Sequence, residues 1–282
     1  MLNTSYIITW RESGDPLRRA NLVAVLTWLR GFALAEVVLV EQDVAPTLGD
    51  LPEAAAHPQL RRVFAYNPGP FNKSWGFNIG LRASRGSVVV FGDADVVCRE
   101  LPQAVSACQA GAAAVRPFTG LRDLDSERSN WLREDLSCLS DPSFPGQATQ
   151  RSELGEHAPY CSGIVVMQRA LALRVGGWDE RFLGWGGEDD AMTVKLQRAG
   201  VALPVLNDAG GFHLCHRRDG ATVTPATPGV GATASVHLHY ADNLALLKQW
   251  HHLPDAAFWQ LCEVSQQLMG DPDMHRPLDT AA

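Results

Sequence analysis

The chain is predicted to be an α/β protein, with a mainly parallel sheet flanked by helices and further helices closing its C-terminal end. Three observations predict this. Short apolar runs bounded by turn residues alternate with stretches of helical periodicity, the pattern of strands buried beneath helices on both faces. The 282 residues are 46% hydrophobic and 20% charged, enough apolar side chain for a sizeable core in one large domain or two small ones. The apolar runs end on polar or acidic residues, and in such sheets ligands bind at the carboxyl ends of the strands.

The elements follow in order. Residues 6–10 read as a short buried strand and 11–15 as a polar loop. Pro16 opens a helix to Leu29, with Leu22, Val25, Leu26 and Leu29 on its apolar face. Residues 37–41 form a second strand with an acidic end, 61–66 a third, 72–84 a helix and 87–91 a fourth strand. From 118 to 160 the pattern weakens into scattered Asp, Arg, Ser and Pro, as in a lid or an acceptor-facing insertion. A strand resumes at 161–167, and Val205 and Leu206 belong to another. Residues 221–235, rich in Gly, Ala, Thr and Pro, read as a flexible loop. Residues 239–250 and 256–269 read as two closing helices within a C-terminal segment at 236–270, and 271–282 as a tail.

Charge and composition exclude some functions. A formal net charge of −7 argues against a nucleic-acid surface, though not against a nucleotide whose charge a metal neutralises locally. No apolar run is long enough to span a bilayer, and residues 1–6 lack the basic and apolar segments of a signal peptide. The six cysteines are dispersed without a CxxC pair, which fits reduced thiols and a cytoplasmic setting.

Four motifs carry chemistry. Gly184-Trp185-Gly186-Gly187-Glu188-Asp189-Asp190 sets three carboxylates behind three glycines and one indole. It reads as a loop closed by a helix N-terminus, where acidic residues are favoured, and also as an aromatic wall beside a general base; both readings can hold. Asp93 and Asp95 directly follow the fourth strand, placed to hold Mg²⁺ or Mn²⁺ through oxygen. His213 and His216 are three apart and would share one face of a helix or tight turn. Zinc with Cys215 is one reading, Mn²⁺ shared with Asp carboxylates a better one, and one buried plus one exposed histidine the plain alternative. In residues 71–78, Lys73 is a candidate diphosphate contact and Asn78 a candidate orienter of an acid. Arg11, Arg18 and Arg19 follow the first strand and reach either phosphate or solvent.

The order of these motifs resembles the nucleotide-sugar glycosyltransferases of the GT-A (Rossmann-like) fold, in particular the galactosyltransferase C-terminal type of β-1,4-galactosyltransferases and bacterial chondroitin polymerases. The likeness runs from about Tyr6 to Arg217, is most specific over 177–190, and includes the Phe-Asn-Lys segment at 71–73. It implies a catalytic domain at 1–220, with a nucleotide-sugar half to about 117 and an acceptor half at about 118–220. It further implies Asp95, His213 and His216 as ligands of Mn²⁺ (or Mg²⁺), with His213 standing where the animal enzymes place a methionine. Asp93 would take the sugar or ribose, Trp185 and Gly186 would line the sugar site, and Thr9, Arg11 and Glu41 would cradle the nucleotide. Asp189 matches the catalytic base, with Glu188 and Asp190 beside it handling hydroxyls. The expected reaction moves a sugar, UDP-linked Gal, GalNAc or GlcNAc, to a saccharide, glycan or small-molecule acceptor with inversion. Residues 184–190 also resemble the Trp-Gly-Gly-Glu-Asn stretch of the retaining polypeptide N-acetylgalactosaminyltransferases, but Asp189 in place of Asn favours inversion. A non-catalytic sugar-binding module is the alternative from another class.

Overall fold

The computed structural model describes residues 3–49, 51, 57–144, 149–150, 163–184, 186–206, 210–217 and 239–275. The expected loop at 221–235 and residues 276–282 of the tail lie outside the described residues, as does Trp185.

The strands in chain order are β1 (Thr4–Trp10), β2 (Glu36–Asp43), β3 (Leu60–Tyr66), β4 (Val88–Gly92), β5 (Val96–Cys98), β6 (Ala114–Val115), β7 (Leu121–Asp123), β8 (Thr149–Gln150), β9 (Ile164–Gln168) and β10 (Gly211–His213). The helices are α1 (Pro16–Leu29), α2 (Lys73–Ala83), α3 (Leu101–Gln109), α4 (Ser126–Glu134), α5 (Arg169–Arg174), α6 (Glu188–Arg198), α7 (Tyr240–His252) and α8 (Asp255–Leu268).

Six strands form the main sheet in the order β3-β2-β1-β4-β9-β6. β1, buried along its whole length, pairs in parallel with β2 (Tyr6 opposite Val37) and with β4 (Tyr6 opposite Val90). The expectation of a mainly parallel sheet holds for β3, β2, β1 and β4, but β9 runs antiparallel to β4 and to β6. The reason is where the chain re-enters: Asp93 N–H donates to the Gly163 carbonyl at 2.9 Å, so β9 starts at the carboxyl end of β4 and runs back down it. A second sheet, β5-β10-β7-β8, lies beyond that end. Its described strands have two or three residues each, too short to leave a period in the sequence. The stretch at 118–160, expected to be weakly patterned, contains β7, β8, α4 and a 3₁₀ turn at Leu136–Ser140.

The helix starts follow local capping. The Asp15 carboxylate accepts from Leu17 N–H, and Pro16 occupies the first turn of α1, whose Leu22, Val25, Leu26 and Leu29 are buried as the spacing predicts. The Asn72 side chain accepts from Trp75 N–H at the start of α2. Gly76 lets α2 lie against β1, because a Cβ there would stand 2.0 Å from Thr9 Oγ1 and 2.4 Å from Gln42 Nε2. Gly76→Ala is therefore expected to destabilise the fold by about 1–3 kcal/mol through overpacking, read as a lower denaturant midpoint at unchanged slope.

α7 and α8, close to their expected positions, bury Leu247, Trp250, Phe258 and Cys262 against Ala191 and Val194 of α6 and against Phe182. They cover the rear of the helix whose first turn carries the three acids.

Candidate active site

Of the residues singled out in the sequence, Lys73, Asp93, Asp95, Glu188, Asp189, His213 and His216 come together in two adjoining clusters at the carboxyl end of the main sheet. Asp93 and Asp95, one residue apart after β4, belong to one cluster each.

Asp95 faces the histidines. Its Oδ2 lies 3.1 Å from His216 Nε2 and 3.6 Å from His213 Nε2, and the two Nε2 atoms are 3.2 Å apart. These three residues are a set able to hold a metal ion. Ligands about 2.1 Å from one ion and at right angles to each other stand about 3 Å apart, close to these separations. The outer ring nitrogens are already engaged: His213 Nδ1 lies 2.9 Å from Asp123 Oδ1, and His216 Nδ1 lies 2.8 Å from the Arg217 carbonyl oxygen, which can only accept. With both Nδ1 atoms facing acceptors, the two Nε2 atoms converge on a carboxylate, and positive charge placed among them, a proton or a metal ion, offsets their mutual repulsion. Burial pushes the Asp95 carboxyl upward, but His213 and His216 outweigh it and hold it well below the usual carboxylate range. The donor set therefore fits a divalent ion.

The His-x-x-His spacing does not lie on a helix or single turn. His213 ends β10, and His216 sits in the loop beyond it. That loop is tied on two sides. Asn21 of α1 donates to the Leu214 and Cys215 carbonyls, Asp15 accepts from Arg217 N–H, and Ser129 and Arg133 of α4 bond Cys215 N–H and its carbonyl.

Asp93 faces the second cluster. Lys73, at the first position of α2, places Nζ 3.0 Å from Asp93 Oδ1, 3.0 Å from Asp189 Oδ1 and 3.3 Å from Glu188 Oε1. Lys73 was expected at a diphosphate; its ammonium instead sits among three carboxylates, because α2 begins opposite the N-terminus of α6. Burial lowers the Lys73 ammonium, but Asp189, Asp93 and Glu188 outweigh it and raise it well above its ordinary value. Burial raises the Asp189 carboxyl well above the carboxylate range, with Lys73 opposing and Glu188 and Asp93 adding to the rise. Asp93 is raised by burial too, against Lys73. Glu188, Asp189 and Asp190 occupy the first turn of α6, as the helix-start reading of 184–190 expects.

Gly187 caps that helix at φ 89°, a left-handed conformation that favours glycine. Gly186, at φ 98°, packs against the Tyr240 ring. Asn243 of α7 donates to the Leu183 and Gly186 carbonyls and accepts from Leu183 N–H, so it ties Leu183 to Gly186.

Three expected nucleotide contacts bond neighbouring groups of the protein itself. Arg11 donates to the carbonyls of Gln42 (2.8 Å), Gly69 (2.6 Å) and Asn67 (2.5 Å). Glu41 accepts from Thr47 N–H, Thr47 Oγ1 and Leu48 N–H. Thr9 Oγ1 accepts from Gln42 Nε2 at 2.8 Å. They build the wall at the ends of β1 and β2, since guanidinium and carboxylate alike satisfy carbonyls and amides freed where the strands stop. Asn78, the candidate orienter of an acid, is fully buried and donates to Glu180 Oε1 at 2.8 Å; it also bonds Trp178 N–H and the Trp178 carbonyl, so it fixes the 177–180 loop.

Sequence reasoning missed Gln42, Asp123, Asn21, Arg133 and Asn243. Gln42 had a signal: it is a buried uncharged polar residue between Glu41 and Asp43 at the acidic end of β2, and it bonds Thr9, Asn67 and Asn72 at once.

Residues 152–217 match the family described as the N-terminal domain of galactosyltransferase. A 45-residue stretch is 42% identical to validoxylamine A glucosyltransferase of Streptomyces hygroscopicus subsp. jinggangensis; it covers 16% of this chain and 11% of that protein, so the chain matches about a tenth of its curated relative's length. Among solved structures, S. aureus TarS 1-349 is similar with a TM-score of 0.51 at 16% identity, over 75% of this chain and 60% of that one, a likeness of fold. The catalytic domain of Drosophila β1,4-galactosyltransferase 7 aligns over 74% of this chain and 66% of its own, at 13% identity and a TM-score of 0.44.

Proposed function

We propose that this chain is a GT-A glycosyltransferase, a reading supported by its 152–217 match and its likeness of fold, and that it is a metal-dependent enzyme that moves a sugar from a nucleoside diphosphate sugar to an acceptor hydroxyl with inversion. The observation that carries the reading is the split of the two aspartates: Asp95 joins His213 and His216, while Asp93 joins Lys73, Glu188 and Asp189. A charge-neutralising site and a basic carboxylate thereby adjoin.

Asp95, His213 and His216 would hold Mn²⁺ or Mg²⁺, and a bound ion there supplies charge neutralisation for the diphosphate and its leaving group. Asp189 takes the acceptor hydroxyl's proton as that oxygen bonds the anomeric carbon, while the bond from that carbon to the diphosphate oxygen breaks on the opposite face. Asp93 and Glu188 receive sugar hydroxyls, and Lys73 holds all three carboxylates in place. Lys73 also keeps Asp189 ionised to lower pH than burial alone would allow. Activity needs the ionised carboxylate and so falls as pH drops through the cluster's apparent pKa. Lys73→Met is expected to move this acid limb of the kcat profile to higher pH; an unmoved limb refutes the coupling.

The donor is UDP-linked Gal, GalNAc or GlcNAc; the short match to a glucosyltransferase adds UDP-Glc to the panel. The acceptor is a saccharide, glycan or small molecule. We assign the donor to residues 1–117, the acceptor to 118–220, and the protein to the bacterial cytoplasm. Cys98, Cys108, Cys138, Cys215 and Cys262 are free thiols, as a reducing compartment keeps them, and no helix among the described residues is long and apolar enough to cross a membrane. Thermal stabilisation by each donor with Mn²⁺, followed by NMR of the product's anomeric carbon, tests the reading. An inverted product supports it, and a retained configuration overturns the single displacement.

A further inference from the structure

We propose that Asp123 is a positioning residue of the metal site, holding His213 by its Nδ1 so that Nε2 points at Asp95 and His216. The proposal rests on the metal-dependent reading above. Asp123 comes from the stretch with the least sequence pattern and matches none of the motifs.

The placement is built into the second sheet. β7 and β10 are parallel, with Asp123 directly opposite His213, and Leu124 N–H donates to the His213 carbonyl at 2.9 Å. On its other side His213 pairs with Val96, the residue after Asp95, and Leu214 N–H donates to the Asp95 carbonyl at 2.9 Å. The backbone thus brings one carboxylate to each side of the imidazole. Asp95 Oδ2 faces Nε2, and Asp123 Oδ1 lies 2.9 Å from Nδ1. The His213 side chain is 9% exposed and that of Asp123 21%, so the bond is largely shielded from competing water.

A neutral imidazole carries one N–H. A carboxylate accepting at Nδ1 fixes the proton there, orients the ring and makes Nε2 the stronger donor to a metal. His216 differs, since among the described residues its Nδ1 bonds the neutral carbonyl of Arg217. The two histidines are therefore unequal ligands, and Asp123 is the source of the difference.

Calorimetric titration with Mn²⁺ alone, compared across wild type, Asp123→Asn and Asp123→Ala, tests this. Asp123→Ala is expected to weaken Mn²⁺ binding by about 10- to 100-fold, with Asp123→Asn, which keeps an acceptor without the charge, in between. A second reading needs no metal: in ¹⁵N imidazole spectra of the metal-free protein, His213 is expected to keep the Nδ1–H tautomer in wild type and lose it in Asp123→Ala. Asp123→Asn keeps the side chain's shape and carries the test if Asp123→Ala does not fold. Both variants binding Mn²⁺ as tightly as wild type, or an unchanged tautomer, overturns the proposal. A wild-type protein that binds no Mn²⁺ overturns the metal reading itself, and the proposal with it.

Discussion

Asp189→Asn is expected to lower kcat for sugar transfer by about 10²- to 10⁴-fold, the range supplied by a positioned general base. The amide keeps the size and hydrogen-bonding reach of the carboxylate but cannot take the acceptor's proton. Lys73 retains Asp93 and Glu188 as partners, at 3.0 and 3.3 Å, so the variant is expected to fold. Donor and Mn²⁺ binding are expected to survive, because Asp95, His213 and His216 are untouched. The check is steady-state kinetics with the acceptor varied, alongside Mn²⁺ titration. Wild-type kcat in a folded Asp189→Asn protein would move the base elsewhere.

Asp95→Ala is expected to have the opposite signature, losing Mn²⁺ binding first and activity as a consequence. It removes the one carboxylate shared by both histidines and leaves His213 and His216 facing each other at 3.2 Å. Charge stabilisation by a bound ion amounts to several kcal/mol, so activity is expected to fall by roughly a thousandfold or more. Chelation of wild type is expected to reproduce the loss, with recovery on adding Mn²⁺. Full activity in chelator would remove the metal from the account.

The legible part of this protein is the part with local causes. β1 to β4 each carry several consecutive apolar residues, and Asp15-Pro16 and Asn72 mark helix starts by their own side-chain chemistry. Asp93 and Asp95 were placed because they stop a buried strand, and 184–190 because glycines and acids gather there. What stayed hidden depends on pairing across long stretches of chain. β5, β7 and β10 span three residues each, so no alternation could reveal that Asp123 lies opposite His213. Asn243 acts through the backbone of Leu183 and Gly186, a partnership fixed by how α7 packs on α6. Arg11 and Glu41 stand at strand ends as a ligand contact would, but their bonds run to backbone groups of the loops and strand end beside them, partners that the sequence does not record. The antiparallel course of β9 follows from where the chain re-enters the sheet, which a single strand's sequence does not record.

The central claim is that two adjoining clusters divide the work, one holding metal and diphosphate, the other the reacting hydroxyls. Calorimetric titration of UDP, with and without Mn²⁺, into wild type, Asp95→Ala and Asp189→Asn tests it most directly. The account predicts Mn²⁺-dependent UDP binding in wild type and Asp189→Asn, and none in Asp95→Ala. Equal UDP binding by all three proteins, or binding indifferent to Mn²⁺, would contradict it.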